Sequence, residues 1–165
     1  MIVVSNSTPL ITLAKVGHFD LLQKLFTQIT ISREVWHEVV VRGAGQAGSA
    51  ETSQADWIRV VPIVAPALIE EWRSAYNLGA GEVSTILLAK QLSASLALID
   101  ERRARALAAK EGVAVSGSIA VLERAYQNKY VSDLREVYAQ LLAANIWIDQ
   151  RMLNQSLARF DLPPL

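Results

Sequence analysis

Four oxygen-bearing side chains stand where a divalent cation could collect them. Asn6 follows the apolar run Ile2-Val3-Val4, and Asp100 follows Leu96-Ala97-Leu98-Ile99. Each therefore reads as a polar residue at the exit of a buried strand. In an open parallel sheet, ligands bind beyond the carboxyl ends of the strands. If both strands are central and parallel, the two side chains share one end of the sheet. Glu82 sits just past Gly79 and Gly81, at the mouth of an apolar helix, and Glu38 lies three residues after Val35, at the edge of an apolar helical face. One acid or amide from each of four separated segments is the donor set of a magnesium site, where the cation offsets the repulsion among hard oxygens. Each residue also has an ordinary structural reading. Glu82 suits the dipole at a helix start, Glu38 pairs with Arg42 one turn on, Asp100 caps the helix after it, and Asn6 serves an Asx-type turn.

A chain of 165 residues, 52% hydrophobic and 19% charged, is long and apolar enough for one packed domain. Sixteen basic residues cancel sixteen acidic ones, which excludes nucleic-acid binding through gross positive charge but not through a local patch. The chain has no cysteine. Disulfides, thiolate zinc sites and thiol nucleophiles are thereby excluded, so oxygen ligands are the credible metal donors. No apolar run approaches the roughly 20 residues of a membrane span. The opening segment lacks a basic leader, so a soluble, cytoplasmic protein is expected.

The elements that must position the four residues follow from the apolar pattern. Ile2-Val3-Val4 predicts a buried strand, and Thr8-Pro9 a helix start with a hydroxyl cap and proline at the first helical position. Phe19 to Phe26 predicts a second helix, Ile29 to Ile31 a second strand, and Ser32 the cap of a third helix. Arg42 to Ser53, rich in Gly, Ala, Ser and Gln, reads as a mobile loop. Trp57 to Ile63 reads as a strand at a sheet edge, because Pro62 lacks a ladder donor. Pro66 opens a helix, and Glu82 to Leu92 forms another, apolar on most sides. Strand and helix then alternate through Leu96–Ile99, Glu101–Glu111, Val113–Val115 and Ile119–Tyr126, with two C-terminal helices opening at Ser132 and Asp149. This alternation predicts a single α/β domain, with a mainly parallel sheet of four to five short strands covered by helices on both faces.

Other signals carry less. Gly43-Ala44-Gly45-Gln46-Ala47-Gly48 has the G-x-G-x-x-G spacing but lacks the preceding strand of a dinucleotide site. His18 and His37 show no ligand spacing, and Trp36, Trp57, Trp72 and Trp147 read as core or edge packing. Arg102, Arg103 and Arg105, with Lys110, form either a phosphate clamp beside Asp100 or a solvated face with Glu101 paired to Arg105.

The four segments together resemble the motifs of PIN-domain proteins. Ile-Val-Val-Ser-Asn-Ser-Thr-Pro-Leu-Ile at the start resembles the first motif, with Asn6 and Ser7. Ile31 to Val39 resembles the second, with Glu38. Leu78-Gly79-Ala80-Gly81-Glu82-Val83-Ser84 resembles the third, and Ala97-Leu98-Ile99-Asp100-Glu101-Arg102 the fourth. The resemblance covers residues 1 to about 127, leaving 128–165 as C-terminal helices and tail. It points to small, mostly prokaryotic relatives of the VapC-type toxins of toxin–antitoxin pairs. It implies a Mg²⁺- or Mn²⁺-dependent endoribonuclease in which Glu38, Glu82 and Asp100 serve the metal and Ser7 orients a metal-bound water or the neighbouring acid. Glu101 either substitutes for Asp100 or begins a helix. It also implies an RNA substrate, a small antitoxin partner and a homodimer, whose face the apolar residues Leu134, Val137, Tyr138, Leu141 and Leu142 bury unless they cover the sheet. The family's first position is normally aspartate, and Asn6 departs from it. One charge is lost, which leaves a second reading open: a PIN-fold binding or regulatory module with weakened or absent catalysis. A third, an α/β phosphoryl-receiver domain, needs an acidic pair at the first strand that Asn6 and Ser7 do not supply.

Overall fold

The three central apolar runs become strands because helices cover them on both sides, while the two edge strands stay partly exposed. The structure, a computed structural model, describes residues 1–165. Strands β1 (Val3–Ser5), β2 (Ile29–Ser32), β3 (Ile58–Val61), β4 (Leu96–Leu98) and β5 (Val115–Ser116) form one sheet in the order β3-β2-β1-β4-β5. Every pairing is parallel. β3 lies at one edge, as Pro62 predicts. The chain builds outward from β1 on one side and then returns to build on the other. A crevice therefore opens at the carboxyl ends of β1 and β4, where the strand order reverses.

Alternation along the strands splits the core in two. Val3 and Leu98 face one layer, packed by α1 (Ser7–Lys15), α2 (Leu21–Phe26), α3 (Arg33–Trp36), α8 (Ser118–Gln127), α9 (Leu134–Ala143) and α10 (Gln150–Arg159). Val4, Ala97 and Ile99 face the other, packed by α5 (Ala67–Tyr76), α6 (Ala80–Gln91) and α7 (Arg102–Lys110). In α6 every residue from Val83 to Ala89 is buried, as a helix apolar on most sides predicts. Leu134, Val137, Tyr138 and Leu141 of α9 are buried in the chain's own core, with Leu142 packed against it. They pack inside the chain's own core, with α9 against α8 and α10, and are not free to form a dimer face.

Several expectations change in detail. α1 starts at Ser7 with Asn6 as its N-cap, so Pro9 is the third helical residue instead of the first. The segment expected to be a mobile loop folds from Ser49 to Gln54 as α4, with Gly48, Ser49 and Thr52 buried. Glu51 reaches back to the Gly48 N–H at 2.6 Å and fixes the start of that helix. The fifth strand begins two residues later than expected, at Val115, with the Ala97 N–H donating to the Ala114 carbonyl just before it. Asp133, not Ser132, caps α9 by accepting from the Glu136 N–H at 3.0 Å. Trp36 and Trp57 pack against one core layer and Trp72 against the other. Trp147 is fully exposed, contrary to its expected packing.

A buried polar chain ties α9 and α10 together. The Tyr138 hydroxyl meets Ser156 Oγ at 2.5 Å, and burial pushes its pKa up from 10.0 to about 12. Because the folded value lies above the unfolded one, its stabilising contribution is complete below pH 10.0 and is lost as pH rises towards about 12. Tyr138→Phe is expected to cost about 1 kcal/mol at neutral pH. It should also flatten the loss of stability across that alkaline window, read from chemical denaturation at stepped pH.

Candidate functional site

Asn6 is the hinge of the site. Its N–H donates to the Leu98 carbonyl at 2.9 Å, which fixes the end of β1 against the end of β4, two residues before Asp100. An N-cap side chain ordinarily accepts from the N–H of the second or third helical residue. Here the third is Pro9, which has no N–H, and Asn6 makes no capping bond. Its Oδ1 is left buried with no partner, in a residue 3% exposed. A buried acceptor without a donor costs about 1–3 kcal/mol, and a cation or a water relieves that cost.

Beside it, Ser7 Oγ donates to Glu38 Oε2 at 2.5 Å, and the Gly81 N–H donates to Glu38 Oε1 at 3.1 Å. Glu38 lies in the first turn of a π-helical stretch, His37–Arg42, that continues from α3. Such wide turns recur at functional sites. No ion pair forms between Glu38 and Arg42. Gly81 makes this placement possible: a Cβ on it would sit 2.5–2.9 Å from the Glu38 carboxylate. Its carbonyl is held by Ser84 Oγ at 3.1 Å and Thr85 Oγ1 at 2.7 Å, while Ser84 in turn meets Ser32 Oγ at 2.7 Å. The starts of α1 and α6 and the π-helical turn thus converge on one carboxylate.

Asp100 does not cap the helix that follows it. Its Oδ1 accepts from the Ser118 N–H and its Oδ2 from Ser118 Oγ, both at 2.6 Å, so it caps α8 from across the sheet end. Gly117 leaves room for it, since a Cβ there would lie 2.7 Å from Asp100 Oδ1 and 3.1 Å from Arg105 Nη1. Glu101 caps α7 by accepting from the Ala104 N–H at 2.8 Å, the helix-starting role of the two expected for it. Arg105 makes no pair with Glu101 and instead donates to the Ile99 carbonyl at 2.9 Å. Arg102 and Arg103 are exposed on the same helix.

Glu82 is partly committed. Its Oε2 accepts from the Gly79 N–H at 2.8 Å, the capping arrangement that the dipole reading predicts, and Oε1 makes no hydrogen bond. The structure therefore brings Ser7 and Glu38 together, and Asp100 and Ser118 together, on the two sides of Asn6. It does not gather Glu38, Glu82 and Asp100 into one cluster: no three His, Asp or Glu side chains stand close enough to form a metal-binding group. Mg²⁺ binds through one or two carboxylates while keeping several waters. An orphaned amide oxygen at the same sheet end as the Asp100 carboxylate fits an ion held in that manner. Sequence reasoning missed Ser118 and Gly117, and finds Gly81 as a site of close approach without the Glu38 side chain that approaches it. The third strand exit, Ser116-Gly117-Ser118, is the signal that could have found the first two.

No helix is long and apolar enough to cross a membrane. No curated protein matches the chain. Residues 2–161 match the family DUF3368, described as a PIN domain.

Proposed function

This chain belongs to the PIN-domain family, and on that premise we propose that it is a metal-dependent endoribonuclease, the toxin of a toxin–antitoxin pair. PIN domains are in general metal-dependent nucleases that act on RNA. The observation that carries the reading for this chain is the buried, unpartnered Oδ1 of Asn6 at the sheet's switch point.

Asn6 and Asp100 at the sheet end are the oxygens that would hold Mg²⁺ or Mn²⁺ directly, with Glu38 and the free Oε1 of Glu82 serving it through its waters. When bound, such an ion activates a water and stabilises the charge that develops on the phosphate and the leaving oxygen. Ser7 holds the Glu38 carboxylate in place from one side and Gly81 from the other. Ser118 holds both oxygens of Asp100, so neither acid has to reorganise when a substrate arrives. Arg102, Arg103 and Arg105 supply positive charge beside Asp100 for the RNA backbone, within a chain of no net charge. A small antitoxin is the proposed protein partner, occupying the same groove between the acids. A homodimer would use a face other than the buried side of α9.

A second reading, a binding module without catalysis, is favoured by one observation: Glu38 and Asp100 already have a hydrogen-bond donor on every carboxylate oxygen. Incubating the purified protein with mixed RNA, with and without Mn²⁺, separates the two. Cleavage that needs Mn²⁺ and disappears in Glu38→Gln supports the enzyme, whereas binding without cleavage supports the module. Asn6→Asp adds back a charge and is expected to tighten Mn²⁺ binding on the order of tenfold and to raise the cleavage rate. Calorimetric titration with the metal checks the first effect. No change in either quantity would remove Asn6 from the site.

A further inference from the structure

A cavity of about 220 Å³ opens beside Asp100, and the four motifs do not account for it. Its walls come from three helices: Arg105 from α7, Glu123 from α8, and Met152, Gln155 and Arg159 from α10. The last helix lies beyond the stretch that carries the motifs, yet it is fastened to the site. Ser156 Oγ meets the Tyr138 hydroxyl at 2.5 Å and donates to Glu123 Oε1 at 2.6 Å. The same Glu123 oxygen receives Arg159 in an ion pair. Glu123 therefore sets the position of Arg159 at the cavity wall, as the Ile99 carbonyl sets that of Arg105.

Each guanidinium carries five N–H donors in a planar fork. One nitrogen of each is engaged within the protein, which leaves donors for a ligand. The two arginines are balanced by Asp100 and Glu123, so the pull on an anion rests on the free guanidinium donors and not on net charge. Arginine forks suit non-bridging phosphate oxygens. We infer that this cavity is a phosphate subsite for a single RNA strand, in which Arg105 and Arg159 grip the backbone next to the phosphate that Asp100 serves. The inference rests on the nuclease reading and adds to it the C-terminal helix as part of the substrate groove. Phosphate contacts of this kind set the register of a strand and carry no sequence preference.

The test uses the full chain and a fluorescein-labelled ten-nucleotide RNA. Binding is read by anisotropy in EDTA over a salt series, and cleavage of the same RNA in Mn²⁺. Arg159→Gln is expected to weaken binding roughly tenfold for any sequence and to reduce the salt slope by about 0.7, the value for one lost single-strand phosphate contact. Arg105→Gln should behave alike, and Arg159→Lys should keep the slope. Arg151→Gln, on the same helix but paired with Asp149 away from the cavity, should match the wild type. A loss of helix packing alone would lower the melting temperature without moving the slope, so thermal melts accompany each variant. Wild-type slope in Arg159→Gln, with cleavage intact in the parent, overturns the subsite and leaves the nuclease reading standing. A parent that neither binds nor cleaves the RNA overturns both.

Discussion

Asp100→Ala is expected to abolish metal-dependent cleavage and to lower stability by about 1–3 kcal/mol. The stability loss comes from a pair of hydrogen bonds, and the loss of cleavage from the missing carboxylate charge. Ser118 is 1% exposed, and it gives its N–H and its hydroxyl to the two oxygens of Asp100. Without the carboxylate, the backbone N–H at the start of α8 loses its acceptor, and water entering from the adjoining cavity replaces it only in part. Asp100→Asn separates the structural part from the chemical part. The amide oxygen still accepts from the Ser118 N–H, and the serine hydroxyl can turn to accept from the amide nitrogen, so the melting temperature should stay near that of the parent. The negative charge is gone, and with it the means of holding a cation at the reacting phosphate. Cleavage should fall by about a hundredfold or more. Denaturation curves and single-turnover rates on the three proteins check this. An asparagine variant that cuts RNA at the parental rate would take Asp100 out of the chemistry and leave it as a cap for α8.

Gly81→Ala is expected to disable the site from a residue that bears no functional group. The added methyl would sit 2.5–2.9 Å from the Glu38 carboxylate, closer than any real contact allows. The obstacle is the tip of a flexible side chain, not backbone, so Glu38 swings away and the fold survives. Ser7 Oγ and the Gly81 N–H lose their acceptor, at a cost of about 1 kcal/mol that alanine's better helix propensity partly offsets. Activity should drop by at least about tenfold. Adding Glu38→Ala to Gly81→Ala should cost little more, because both substitutions remove the same group. Parental activity in Gly81→Ala, or losses that add fully in the double variant, would show that the position of Glu38 does not matter to cleavage.

What could be read from residue order, and what could not, divides along physical lines. Strand exits are readable, because a short β-branched run that ends in a polar residue has few other meanings; Asn6 and Asp100 both lie at the sheet end where they were expected. The helix carrying Glu82 and the cap at Ser32 follow from glycine punctuation and a hydroxyl before an apolar face. The partners of the acids are not readable in this way. Asp100 reads locally as a cap for its own helix, yet it serves Ser118 on another, because only the pairing of β4 with β5 brings Gly117 beside it. Glu38 reads locally as a partner of Arg42, one turn away, whereas Ser7 and Gly81 hold its two oxygens from across the fold. Local spacing sees the nearby charge and not the distant donor. Pro9 shows the same limit at a finer scale. Its place in α1 depends on where the helix begins, and a shift of two residues turns a favourable first position into the reason that Asn6 has no capping partner. Composition misled at Ser49–Gln54 because Glu51 supplies a cap that a tally of glycines does not reveal, and at Trp147 because size alone does not bring a side chain inside.

The bonds that hold Glu38 and Asp100 are not local to one stretch of chain. The Ser7–Glu38 bond joins residues 31 apart, Gly81–Glu38 residues 43 apart, and Asp100–Ser118 residues 18 apart. Contacts of that span wait for loop closure and for the strands around β1 to pair. Until then the acids are scattered and electrostatically independent. A chain still emerging from the ribosome therefore carries every residue of the first three motifs and none of their joint chemistry. For a protein proposed to cut RNA, that order of events spares the message being translated: the hazard arises with the finished fold and not with any piece of it.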